Sequence, residues 1–220
     1  MTLALLERSR IVATPEWSRW LIPPAALSIH LAIGSAYAWS VFKNAISAPS
    51  ALGLSGTMTA IPFQLAIVML GLSAAIFGTR VEKNGPRWAM SVSLVFFVSG
   101  LLLSALGMSL GQFWLVIFGY GFVGGIGLGI GYISPVSTLI KWFPDRPGMA
   151  TGIAIMGFGG GALIASPLST NLLIGFGGFT DSSIAKTFLV LAVGYAVFMA
   201  LGVVLIRVPA EGWKPAGWNP

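Results

Sequence analysis

Six long runs of apolar residues constrain this chain more than any other feature. They cover 21–45, 57–77, 88–108, 112–140, 149–174 and 186–206. A bilayer core of about 30 Å needs roughly 20 such residues per helix, so each run is long enough to cross one. Backbone amides in hydrocarbon must pair within their own segment, and the runs lack the two-residue alternation of a barrel strand, so the expected fold is an all-α membrane protein of six spans. Composition agrees, because 56% of the residues are hydrophobic and only 8% are charged, which excludes an ordinary soluble domain.

The twelve basic residues fix an expected orientation. Arg8, Arg10 and Arg19 precede the first run, Arg80, Lys83 and Arg87 flank the second connection, Lys141 and Arg146 the fourth, and Arg207 and Lys214 follow the last run. Only Lys43 and Lys186 fall on the other side, so both termini are expected in the cytoplasm, in a bacterial inner (plasma) membrane. Residues 1–19 then form a cytoplasmic segment, 20–207 the membrane domain and 208–220 a cytoplasmic linker or tail. Trp17, Trp20, Trp88, Trp142 and Trp213 lie where an interfacial aromatic belt would put them. Glu7, Pro15 and Glu16 ahead of an overlong apolar run argue against a cleaved signal, and Thr2 rules out myristoylation. The bases are scattered between spans, so no nucleic-acid partner is expected. With no cysteine and a single histidine, no metal site, cofactor or enzymatic cluster is expected either.

The fourth and fifth runs carry stripes of small residues. Tyr120, Gly124, Gly127, Gly131, Ser134 and Thr138 share one helical face, Gly121, Gly125 and Gly129 a second, and Ala150, Ala154, Gly157, Gly161 and Ala165 repeat the pattern in the fifth run. Such stripes allow helix backbones to approach and slide. They make Gly124, Gly127, Gly131, Gly157 and Gly161 packing or hinge candidates, and Pro135 and Pro167 are expected to bend their helices. Gly159, Gly160 and Gly161 in succession mark a hinge or a close crossing.

Polar groups at depth concentrate in the first run, where His30, Gly34, Tyr37 and Val41 share a face with Ser28, Ser35, Trp39 and Ser40 nearby. His30 falls about 15 Å into the span, and apart from phenols it is the one ionisable group away from a span end. It is either a substrate donor or proton-coupling site, or a neutral ring bonded to a neighbouring carbonyl or serine. Gln64 in the second run is weighed the same way. No span holds Asp, Glu, Lys or Arg away from its ends, so an ionic substrate would need its counter-charge from elsewhere.

Gly78, Thr79, Arg80, Val81, Glu82, Lys83, Asn84, Gly85, Pro86, Arg87 resembles the loop signature of the major facilitator superfamily, with Glu82 where Asp is commoner. The stretch Lys141 to Gly152, the tail repeat Gly212, Trp213, Lys214, Pro215 and Gly217, Trp218, Asn219, Pro220, and Tyr37 to Phe42 are similar to the oxalate/formate antiporter family and the related monocarboxylate porters. The resemblance implies the N-terminal half of a twelve-helix fold, built as two inverted three-helix repeats. It implies a proton-linked or exchange transporter of small carboxylates such as oxalate, formate, lactate or pyruvate, with the carboxylate-binding cations in a second half. It assigns Gly78, Glu82, Lys83, Gly85 and Arg87 to a gate loop and Tyr37 to the substrate path, where Tyr120 and Tyr132 are further candidates. His30, Trp39 and Ser134 complete the expected path. The expected partners are the bilayer, a small carboxylate, and a missing six-helix half or a second copy. Two rival readings remain open: a six-helix channel or uniporter for small neutral solutes, and an inactive fragment or assembly subunit.

Overall fold

The computed structural model describes residues 8–218. Thr2, Glu7, Asn219 and Pro220 lie outside the described residues, as does the rest of segment 1–7. Six helices are long and apolar enough to cross a membrane: α1 (Arg19–Ile46), α2 (Gly56–Asn84), α3 (Pro86–Ser109), α4 (Phe113–Trp142), α5 (Pro147–Gly175) and α6 (Asp181–Leu205). Among the described residues there is no strand, only an isolated parallel bridge between Val12 and Val208.

Local chemistry sets the helix ends. The Ser55 side chain accepts the Met58 amide at the start of α2, and the Thr180 side chain accepts the Ser183 amide at the start of α6. Gly85, at φ +88°, closes α2 in a conformation that side chains resist, and Pro86 opens α3 with a ring that needs no amide partner. These two residues turn the chain back on itself with no intervening loop.

The two small-residue faces of α4 meet different neighbours. A Cβ on Gly127 would fall 2.7 Å from the Phe97 amide nitrogen of α3, and one on Gly125 would fall 2.7 Å from Met69 Cβ of α2. Hydroxyls reinforce both contacts: Ser93 donates to the Gly127 carbonyl at 2.7 Å and Ser73 to the Ile126 carbonyl at 3.3 Å. Lipid tails are as apolar as leucine, so close backbone contact and such hydrogen bonds hold the bundle together. The α5 stripe meets α1 in the same way, with Gly157 against Leu27 and His30, and Gly161 against Leu31 and Gly34. Gly124 is looser: a Cβ there would fall no nearer than 3.3 Å to its closest neighbour, the Gly119 carbonyl oxygen.

The helices run on through Pro135 and Pro167. Hydrogen-bond geometry changes elsewhere: α1 tightens to three residues per turn over Ser35–Ala38, and α4 widens by one residue per turn over Ile117–Gly124. The two irregular segments touch, because the Tyr120 hydroxyl donates to the Ala36 carbonyl at 3.2 Å.

One end of the bundle is basic and tied. Arg19 donates to both carboxylate oxygens of Asp145 at 2.6 and 2.9 Å, joining the start of α1 to the α4–α5 connection. That hydrogen bond holds the Asp145 carboxyl below the usual carboxylate range. Arg87 donates to the Val203, Val204 and Ile206 carbonyls, and Arg207 to those of Val204 and Ile206. The unpaired carbonyls at the end of α6 thus receive cationic donors. Ala13 donates to Val208 and Val208 to Ile11, both at 2.9 Å, so the segment before α1 is stitched to the segment after α6.

The adjacent glycines of α5 separate by environment. A Cβ on Gly161 would fall 2.5 Å from the Leu31 carbonyl oxygen, whereas one on Gly159 meets nothing within 4 Å. Gly161→Ala is expected to lose about 1–3 kcal/mol, and Gly159→Ala to gain up to about 1 kcal/mol from helix propensity. Thermal unfolding of the purified chain, followed by tryptophan fluorescence, measures both; equal midpoints for the two variants would contradict this packing.

Candidate functional site

Tyr37 sits in the tightened turn of α1 and remains 46% exposed between the buried Ala36 and Ala38. Its ring contacts Phe63 of α2 at 5.9 Å and Phe158 of α5 at 5.3 Å, both edge-on. Phe158 in turn meets Tyr132 of α4 at 5.0 Å. Four rings from α1, α2, α4 and α5 therefore form one continuous aromatic face, with edge-to-face contacts that suit the ring quadrupoles. The face runs from the middle of the bundle, at Tyr132 and Phe158, toward the end away from the basic residues, at Tyr37 and Phe63. Helices α3 and α6 contribute none of these rings; they pack against each other through Phe97 and Tyr195, whose centroids lie 5.8 Å apart.

His30 lies directly behind this face and is completely buried. Its ring stacks on Tyr132 at 5.8 Å and meets Phe158 edge-on at 6.2 Å. Nδ1 is 2.9 Å from the Ala154 carbonyl oxygen of α5, and Nε2 is 3.2 Å from the Tyr132 carbonyl oxygen of α4.

The other expected path residues lie inside the helix packing. Trp39 is 3% exposed and donates through Nε1 to the Thr59 carbonyl at 2.8 Å, joining α1 to α2. Tyr120 is 6% exposed and its ring meets that of Trp39 at a tilt, 4.3 Å between centroids, behind the α1 turn. Ser134 is buried and points its hydroxyl at the Pro86 carbonyl at 3.4 Å, between α4 and α3. The structure thus brings Tyr37, Tyr132 and His30 together and separates Trp39, Tyr120 and Ser134 from them. Gln64 is exposed on α2, one residue along from Phe63. Phe63 and Phe158 belong to the face, yet nothing in the sequence sets them apart from the chain's other phenylalanines.

The expected gate loop is helical instead: Gly78, with open space around it, and the exposed Glu82 and Lys83 lie on the last turns of α2, and Gly85 makes the turn into α3. Arg87 lies on the end of α6, bonded to its last carbonyls. Glu82 and Gly85 also border a small cleft with Ser134, Ser137, Thr138 and Lys141 of α4, so the α2–α3 turn abuts the basic end of that helix.

Against known proteins, residues 26–219 match the Major Facilitator Superfamily. The chain belongs to that family. It is 29% identical over 192 residues to the uncharacterized MFS-type transporter YhjX of Escherichia coli, covering 86% of this chain and 44% of the relative. It is 30% identical over 198 residues to apicoplast pyruvate carrier 1 of Toxoplasma gondii, covering 78% and 35%. A third match, 29% identical over 157 residues and covering 71% and 36%, is the oxalate:formate antiporter of Oxalobacter formigenes. The chain thus spans less than half the length of these relatives. Membership of this family together with six spanning helices makes it a multi-pass membrane protein.

The contrast between the two tyrosines is directly measurable. A water-soluble nitrating reagent is expected to modify Tyr37 well before Tyr120, with peptide mass spectrometry locating the products; equal rates at the two positions would contradict the orientation of the α1 turn.

Proposed function

We propose that this chain forms one wall of a carrier for small carboxylates such as oxalate, formate, lactate or pyruvate, working by alternating access through antiport or proton coupling. The observation that carries the reading is the aromatic face shared by α1, α2, α4 and α5, which presents the exposed Tyr37 phenol and holds no acid or base among its rings. Aromatic walls exclude water, and a phenolic hydroxyl can donate one directed hydrogen bond to a carboxylate oxygen. Two similar proteins are named for such cargo, one for pyruvate and one for oxalate and formate.

The counter-charge is the missing element. A carboxylate brought to this face unaccompanied would lose hydration without gaining a cation, which costs several kcal/mol on the scale of about 2.5–3.5 for a charge at mid-membrane. A second six-helix half, facing the aromatic rings and carrying a base, supplies it in this account. A second copy of the same chain would only double the uncharged lining. Rocking of the two halves then alternates access, the basic end faces the cytoplasm, and the α2–α3 junction from Gly78 to Arg87, with Glu82, Lys83 and Gly85, latches that side. Residues 208–220 serve as the connection onward to the partner half.

Counterflow of labelled oxalate, formate or pyruvate, in proteoliposomes containing this chain assembled with a second half, tests the reading. Trans-stimulated, saturable uptake is expected. Tyr37→Phe is expected to lower kcat/KM about tenfold, the worth of one hydrogen bond to a charged group. Non-saturating flux with no trans effect, or an unchanged Tyr37→Phe carrier, would count against it.

A further inference from the structure

We propose that His30 is a proton-binding site, and that the bound proton ties α1 to α4 and α5 by letting the ring donate to the Tyr132 and Ala154 carbonyls at once. The number of donors decides the matter. Both ring nitrogens face backbone carbonyl oxygens, Nδ1 at 2.9 Å from Ala154 and Nε2 at 3.2 Å from Tyr132. A carbonyl oxygen can only accept. A neutral imidazole has one N–H, so whichever nitrogen carries it, the other aims a lone pair at an oxygen. An imidazolium has two N–H groups and satisfies both contacts with charge-assisted bonds. The closed three-helix joint is therefore complementary to the charged ring, and the neutral ring is at ease only when one contact opens.

The surroundings leave the proton as the one variable at this joint. From α4 the ring faces the Tyr132 phenol; α5 offers Ala154, Gly157 and Phe158, none of which titrates; and the Tyr37 phenol of α1 is reached only through Phe158. Among the described residues no acid or base faces it. Gly157 is also what allows the approach, since a Cβ there would fall 2.9 Å from His30 Cβ. Because the ring is wholly buried, the proton enters or leaves when α1 parts from α4 or α5. Occupancy and helix separation are thereby linked, as population shift requires of any ligand with different affinity for two states. The charge stays behind Phe158 and Tyr132, committed to two carbonyls, so it does not replace the counter-charge assigned to the second half.

Proton binding stands on this geometry alone; its use as the coupling step of a carrier rests on the transport reading above. The chain contains a single histidine, so selective 15N-histidine labelling of the 220-residue chain in lipid nanodiscs gives ring-nitrogen signals that need no assignment. Over a titration from about pH 8 down to about pH 4 the ring is expected to pass from a neutral ring with one protonated nitrogen to an imidazolium with both protonated. Amide exchange around Tyr132 and Ala154, corrected for its intrinsic pH dependence, is expected to slow about tenfold on protonation. It is expected to lose that dependence in His30→Gln, which cannot take up charge. A ring that stays neutral throughout the range, or a His30→Gln chain that keeps the same pH-dependent protection, overturns the inference. The NMR titration involves no transport, so its failure is separate from failure of the carboxylate reading, which counterflow decides.

Discussion

Helices in lipid gain nothing from hiding apolar surface, and the whole bundle depends on how closely their backbones can approach. Helix α4 is the hub because it has two faces without side-chain bulk, one turned to α3 through Gly127 and one to α2 through Gly125. Helix α5 applies the same device once, against α1 at Gly157 and Gly161. Because those faces are spent on packing, the rings of Tyr132 and Phe158 are directed onto the remaining side, beside Tyr37 and Phe63. The aromatic face thus follows from where the glycines had to go.

The same economy of side chains explains the electrostatics. Formal charge collects at the basic end, where Arg19 pairs with Asp145 and where Arg87 and Arg207 bond the last carbonyls of α6. The six spans hold no lysine, arginine or acid near their centres, and the single mid-span histidine has both nitrogens turned to backbone. What faces the open side is therefore aromatic and hydroxylic, suited to shaping and drying a site but not to attracting an anion. The chain belongs to the Major Facilitator Superfamily and has relatives more than twice as long as the matched region, which supports the proposed second set of helices as the source of counter-charge.

Much of this was legible in the residues. Span ends fall within two positions of the apolar runs except at two places: α2 continues past Phe77 to Asn84, where the Gly85 turn rather than hydropathy stops it, and α6 starts at Asp181, where Thr180 caps it, ahead of the run at Lys186. The spacing of small residues groups Tyr120, Gly124, Gly127, Gly131, Ser134 and Thr138, all of which are buried, although Tyr120 meets α1 and Gly127 meets α3. Periodicity cannot say which neighbour a face meets, so Tyr120 and Ser134 read equally well as path residues and as packing residues. Residues two apart lie on opposite sides of a helix, so the pattern allows either Tyr37 or Trp39 to be the exposed one, and the tightened turn at Ser35–Ala38 has no proline or glycine pair to announce it. Phe63 and Phe158 were silent because a phenylalanine is equally at home against lipid, in a core or on a binding face. Pairing of Val12 with Val208 joins chain ends almost two hundred residues apart, beyond the reach of any local pattern.

In the proposed carrier this wall shapes a carboxylate site without supplying its charge. The most direct measurement is saturable exchange of labelled oxalate, formate and pyruvate by proteoliposomes containing the purified 220-residue chain with no companion half. Uptake indistinguishable from that of empty liposomes is expected, and saturable, trans-stimulated exchange by the lone chain would overturn the proposed division of labour between the halves.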